Sequence, residues 1–240
     1  MGKWRLPAGR KAGAEITFMK KVCICLLLWI GWALVVDGQT LSEKEAGFTD
    51  QISSMLNGAK VDLKKRAPVY EISIDRLVID TAREERSWLF AGSMPALVFL
   101  KDSIRAGAAY KTVEVRVRST GGKEKLCSYS FRQLGEVAAC LPVASRYANG
   151  LITTNVDSVT YYSEALLVSK SPPAALVEKL RVADDAWGRV EDMNINGFRV
   201  ETANGKDLVY VSIYLERNVS NQLVELWINP VTRKVIKIDL

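Results

Sequence analysis

Residues 110–131 read YKTVEVRVRSTGGKEKLCSYSF, and this stretch decides the fold class. Val113, Val115 and Val117 alternate with Glu114, Arg116 and Arg118. A period of two gives a strand one apolar face and one charged face. Gly121-Gly122 supplies a turn, and Leu126 to Phe131 returns as the second strand of a hairpin. Cys127, Tyr129 and Phe131 then share a face. Working outward, residues 69–80 read as a strand and 83–86 as a charged turn. Residues 88–100 are apolar but interrupted by Gly92 and Pro95, which predicts short strands. Residues 133–140 read as a helix stopped by Pro142, and 151–159 as extended chain.

The last third has a different rhythm. Ser171-Pro172-Pro173 reads as a linker or helix start, since proline suits a first helical turn. Leu176, Leu180, Ala183 and Trp187 share one face of a helix that ends at Gly188. Strands near 198–202, 208–217, 222–228 and 234–238 follow, joined by turns at Asn204-Gly205, 218–221 and Asn229-Pro230. Nearer the N-terminus, Ser42 and Glu45 form a capping box. Phe48, Ile52, Met55 and Leu56 continue it at helical spacing up to Asn57-Gly58. The expected fold is α+β: an N-terminal helix, antiparallel strands with hairpins, then a helix plus an antiparallel meander. The expected division is a leader over 1–38, an α+β domain over 39–170 and a helix-plus-meander domain over 171–240.

The leader carries the plainest localisation signal. Met19-Lys20-Lys21 precedes VCICLLLWIGWALVV at 22–36, a charge-free run matching the n- and h-regions of a secretory signal peptide. Val36 and Gly38 fit the −3 and −1 positions, so Gly38/Gln39 is the expected cleavage point. The alternative is an uncleaved anchor with residues 1–21 as a short basic cytosolic tail. Residues 1–18 also fit a start codon assigned too early, with Met19 the true start. Export, periplasmic or secreted, puts Cys127 and Cys140 in an oxidising compartment, where two cysteines most often pair; two buried free thiols are the alternative. Asn218-Val219-Ser220 is a glycosylation sequon if the source is eukaryotic.

Composition narrows the chemistry. The chain has 240 residues, a net charge of +6, 48% apolar and 25% charged residues, the balance of a globular protein. Residues 1–38 hold a net +4, leaving only +2 on the rest, so the basic balance gives no reason to expect nucleic-acid binding. There is no histidine. That excludes Ser-His-Asp and Cys-His catalysis and every histidine-bearing zinc site. No GxxxxGK[ST], GxGxxG or Ser-x-x-Lys occurs. Asp192-Met193-Asn194-Ile195-Asn196-Gly197 copies the first half of an EF-hand loop, but Ala203 stands at position 12 in place of the bidentate glutamate. A polar turn leading into a strand is the better reading. Neighbouring acids at Glu84-Glu85, Asp184-Asp185 and Glu191-Asp192 point apart on any regular element. Arg116, Arg118, Lys123, Lys125 and Arg132 suggest either a polyanion site or a charged outer sheet face.

Residues 226–236, Leu-Trp-Ile-Asn-Pro-Val-Thr-Arg-Lys-Val-Ile, with the helix and strands before them, give the segment 174–240 a resemblance to PepSY-like modules. Arg233 replaces the glycine usual after the threonine, and Asn229 takes the place of an aspartate. The resemblance implies a non-catalytic exported module, in some members one that inhibits or chaperones a protease. The expectations are then an exported, non-enzymatic protein that binds another envelope or secreted protein, without cofactor or metal. Membrane contact is expected only through 22–36 if that run is retained. The rivals are a membrane-anchored subunit of an envelope assembly and an enzyme using carboxylates alone.

Overall fold

The computed structural model describes residues 43, 45–80, 83–101, 110–203 and 205–240. The export segment 22–36, Cys23, Cys25, Gly38, Gln39 and the Ser42 cap lie outside the described residues. Residues 47–240 form one compact unit, so Ser171 is an internal position between two helices of that unit. The fold is α+β, with two four-stranded sheets.

The chain enters through helix α1 (45–55), whose Phe48 and Ile52 are buried. Strands β1 (Lys60–Arg66) and β2 (Val69–Leu77) form an antiparallel hairpin. The basic run 60–66 is thus an edge strand, and its lysines discourage further strand pairing at that edge. Helix α2 (Glu84–Lys101) follows, then the hairpin of β3 (Thr112–Ser119) and β4 (Glu124–Ser130). The first sheet runs β1-β2-β3-β4. Its central pair β2–β3 is parallel, because α2 carries the chain back to the starting end.

Helix α2 corrects the expectation of short strands over 88–100. Ala91, Ala96, Leu97, Val98 and Phe99 are all buried, because the helix packs on β3 and β4 as well as on the second sheet. A helix apolar on most of its circumference shows no stripe. Gly92 and Pro95, read as interruptions, sit inside it. Gly92 has a steric reason: a Cβ there would lie 2.6 Å from Cys127 Sγ.

Helix α3 (Phe131–Ile152) starts at a capping box in which Ser130 Oγ accepts from Gln133 N–H and Gln133 Oε1 accepts from Ser130 N–H. It runs on through Pro142, which was expected to stop it. One lost hydrogen bond is outweighed by burying Val143, Ala144, Tyr147, Ala148 and Leu151 beyond it. The expected strand over 151–159 is instead the end of α3 and the start of α4 (Val156–Tyr162), capped by Asn155. Helices α5 (Ala165–Lys170) and α6 (Pro173–Trp187) complete the helical layer.

The second sheet is the expected meander: β5 (Val190–Ala203), β6 (Lys206–Arg217), β7 (Gln222–Asn229) and β8 (Lys234–Asp239), antiparallel throughout. Val209, Val211, Ile213 and Leu215 alternate on one face of β6 and are fully buried. Helix α3 packs on β6 and β7, whereas α6 packs chiefly on α3 and α4. Leu180 is buried in the helical layer, and Trp187 is 42% exposed.

The contact between Gly92 and Cys127 can be tested directly. Gly92→Ala is expected to cost about 1–3 kcal/mol by overpacking, because the new Cβ would overlap Cys127 Sγ. Adding Cys127→Ala removes the sulfur, leaving the Cβ atoms about 3.7 Å apart, and should recover most of that loss. Urea midpoints of the two single variants and the double variant form the cycle. Additive costs would show that α2 and β4 do not meet there.

Candidate functional site

A cleft of about 750 Å³ lies where three elements converge. The start of α2 contributes Arg83, Glu84, Arg86 and Trp88. Strand β4 contributes Lys125, Cys127 and Tyr129, alternate residues and so on one face. The second sheet contributes Arg199, Tyr210, Ser212 and Glu225. Register explains this last group: Arg199 pairs with Tyr210, and Ser212 with Glu225, so all four occupy one face. The backbone is brought close by Gly197, where β5 is bulged and a Cβ would lie 2.9 Å from Leu89 of α2. Ser93 Oγ also accepts from Phe198 N–H across this crossing, at 3.1 Å.

Aromatic rings and cations interleave along this face. The Arg199 guanidinium lies 4.0 Å from the Tyr210 ring centre. Tyr210 and Trp227 meet edge to face at 5.0 Å, and Lys237 Nζ stands 3.8 Å over Trp227. Trp227 Nε1 donates to Glu201 Oε2 at 2.9 Å, and Tyr210 donates its hydroxyl to Glu225. Burial, with Glu225 accepting that proton, pushes the Tyr210 phenol up from its ordinary value. Tyr129 packs on Phe198 at 5.4 Å, and burial raises its phenol as well. Arg83 donates to the Tyr214 hydroxyl at 3.0 Å.

Two kinds of group in the cleft are uncommitted. Arg86 and Lys125 make no ion pair among the described residues, whereas Glu84 is held by Lys123 at 2.6 Å, which lowers its pKa. Ser212 Oγ is fully buried without a hydrogen-bond partner, and its strand neighbour Tyr210 is committed to Glu225.

The sequence candidates fall in and around this cleft. Cys127 lines it, with its thiol held above the ordinary pKa by burial. Cys140 is buried on α3, its pKa pushed up to about 11 by burial. Both are free thiols, which corrects the expected disulfide. The capping box at Ser130 ends β4, so Cys140 lies nine residues into a helix. Cys127 and Cys140 do not stand at disulfide distance. Asn218 sits at the β6–β7 turn with its amide packed over Gly188, whose φ is +81°. Asp192, Asn194 and Asn196 lie in β5 rather than in a loop. Asp192 accepts from Met193 N–H and from the Asn194 amide, and among the described residues no cluster of three acidic, histidine or cysteine side chains is placed to hold a metal ion.

The basic residues of the first hairpin form a charged lattice. Arg116 and Arg118 share Glu124 at 2.6 and 3.0 Å, which lowers the Glu124 pKa. Arg118 also reaches Asp75, and Arg132 reaches Glu136 and Asp207. Lys125 alone of the five faces the cleft. Among the described residues no helix is long and apolar enough to cross a membrane. Comparison with known proteins finds no matching family, no matching curated protein and no matching solved structure.

Proposed function

We propose that this is an exported binding protein that takes a segment of another protein into the cleft between α2, β4 and the second sheet. The observation that carries this reading is the grouping of Trp88, Tyr129 and Tyr210 with Arg83 and Arg199 around a concavity of about 750 Å³. Tryptophan, tyrosine and arginine dominate the energetics of protein interfaces, because each buries a large flat area and keeps a polar handle. Lys125, which makes no ion pair among the described residues, offers a donor to a backbone or side-chain oxygen of the incoming segment. The export part of the reading is supported by the apolar run 22–36 behind Lys20-Lys21. The PepSY-like part is supported by α6 leading into the four-stranded meander, and by the strand–turn–strand at 226–236.

The test is site-specific photocrosslinking in the native host. A benzophenone side chain at Leu223, a cleft-lining position, is expected to give one discrete protein adduct. Tyr210→Ala and Arg199→Ala should each abolish the adduct, since loss of an interface anchor costs about 2 kcal/mol or more. The same probe at Lys206, exposed on the second sheet outside the cleft, should give none. Equal adducts from both positions, or an adduct indifferent to both substitutions, would remove the cleft from the binding reaction.

A further inference from the structure

A second concavity, of about 490 Å³, lies where α3, α4 and the β7–β8 turn meet. Arg146 enters it from α3, Tyr161 and Tyr162 from α4, and Arg233 and Lys234 from the turn and the start of β8. We propose that this groove binds a phosphate ester, independently of the cleft described above.

Charge is the first argument. Three cations line the groove and no carboxylate does. Neither Arg233 nor Lys234 makes an ion pair among the described residues, and Arg146 donates only to the Tyr162 hydroxyl, at 3.1 Å. Thr232, which lines the groove, donates its hydroxyl to the Glu164 carboxylate at the groove's edge. Arg146 from α3 and the adjacent Arg233 and Lys234 from the β7–β8 turn bring three like charges to one groove, and a dianionic phosphate offers acceptors to all three.

Geometry is the second argument. The groove is held open rigidly: Glu164 N–H donates to Val235 O at 2.8 Å, and Ser163 bridges Val235. Asn229 Oδ1 accepts from Val231 N–H at 3.0 Å and fixes the turn. Arg233 has φ of +54°, a left-handed conformation that glycine adopts at no steric cost. The chain thus keeps a long cationic side chain at a position where the backbone alone favours glycine. The ring of Tyr161, 69% exposed and 5.8 Å from Lys234 Nζ, gives the organic part of the ester a flat surface beside the charge.

Calorimetric titration of the full chain with glucose 6-phosphate, with inorganic pyrophosphate and with phosphatidylglycerol vesicles distinguishes soluble from lipid sources. Binding of at least one probe is expected, and Arg233→Gly and Lys234→Gln should each weaken it about tenfold, the loss of one charge-assisted bond. Arg233→Gly should leave the melting temperature unchanged or raise it, so that lost binding is not lost folding. Lys206→Gln removes the same charge outside the groove and should leave the affinity as it was. Failure to bind all three probes, or equal weakening by Lys206→Gln and Lys234→Gln, overturns the proposal. Neither outcome bears on the protein-binding cleft.

Discussion

Gly197→Val is expected to destabilise the protein by about 2–5 kcal/mol, the sum of overpacking and of forcing a branched residue into an unfavourable backbone region. The glycine has φ of +153°, and its missing Cβ would stand 2.9 Å from Leu89 Cγ, 3.0 Å from Ser93 Oγ and 3.3 Å from the Leu89 backbone carbon. Leu89 can turn aside; its backbone cannot, so Leu89→Ala should rescue only part of the loss. The displaced helix also takes Ser93 away from Phe198 N–H, leaving a buried donor without its acceptor. Gly135→Ala, on an exposed turn of α3 with nothing within 4 Å, is the control of opposite sign and should stabilise by up to about 1 kcal/mol. Denaturant unfolding of both variants gives the comparison. A cost below about 0.5 kcal/mol for Gly197→Val, the range of inert surface changes, would mean that α2 does not press on β5.

Asp184→Ala should cost about 3 kcal/mol, toward the lower end for breaking a buried ion pair. The Arg217 side chain is fully enclosed at the end of β6. Its guanidinium donates to Asp184 at the end of α6, to Gly188 O and to Gln222 Oε1 at 2.9 Å, while Nε has no partner. Without Asp184 the charge keeps only neutral acceptors. The cost is moderated because the Asp184 side chain is 36% exposed, and water replaces part of what is lost. Arg217→Met, which removes the charge and keeps the volume, should cost less than Asp184→Ala. The double variant should be no worse than Arg217→Met alone. Calorimetric melting of the three proteins measures that order, and the reverse order would place the stabilisation in the arginine's packing rather than in its pairing.

The elements readable in the sequence are those with one wet face. The 110–131 hairpin and the four-strand meander alternate because one side of each meets solvent or charge, and alternation is visible in a one-dimensional string. Helix α2 was hidden because it has almost no wet face: Ala91, Ala96, Leu97 and Phe99 are all buried. Pro142 misled for a different reason. A proline weakens a helix locally, but burial of Tyr147, Ala148 and Leu151 beyond it is a tertiary term that no local signal carries. The cleft was legible only in fragments. The alternation of Lys125, Cys127 and Tyr129 could be read from the strand, yet nothing local brings them to Arg83 or to Tyr210. Gly197 reads locally as the end of a polar turn, and only its place inside β5 shows that it lets the backbone of α2 come close.

The crossing of α2 over β5 also sets an order of assembly. Every strand pairing in the meander, and both hairpins of the first sheet, join neighbours in the chain. The hydrogen bond between Ser93 and Phe198 spans 105 residues. Loop-closure entropy grows with the logarithm of that span, so the local sheets are expected to form first and α2 to join them last. Contacts made after the rate-limiting barrier slow unfolding without speeding folding. The lifetime of the native state is then governed at Gly197, Leu89 and Ser93, while the speed of reaching it is governed by the hairpins. Gly197→Val is therefore expected to shorten the lifetime of the native protein and to leave its refolding rate nearly unchanged.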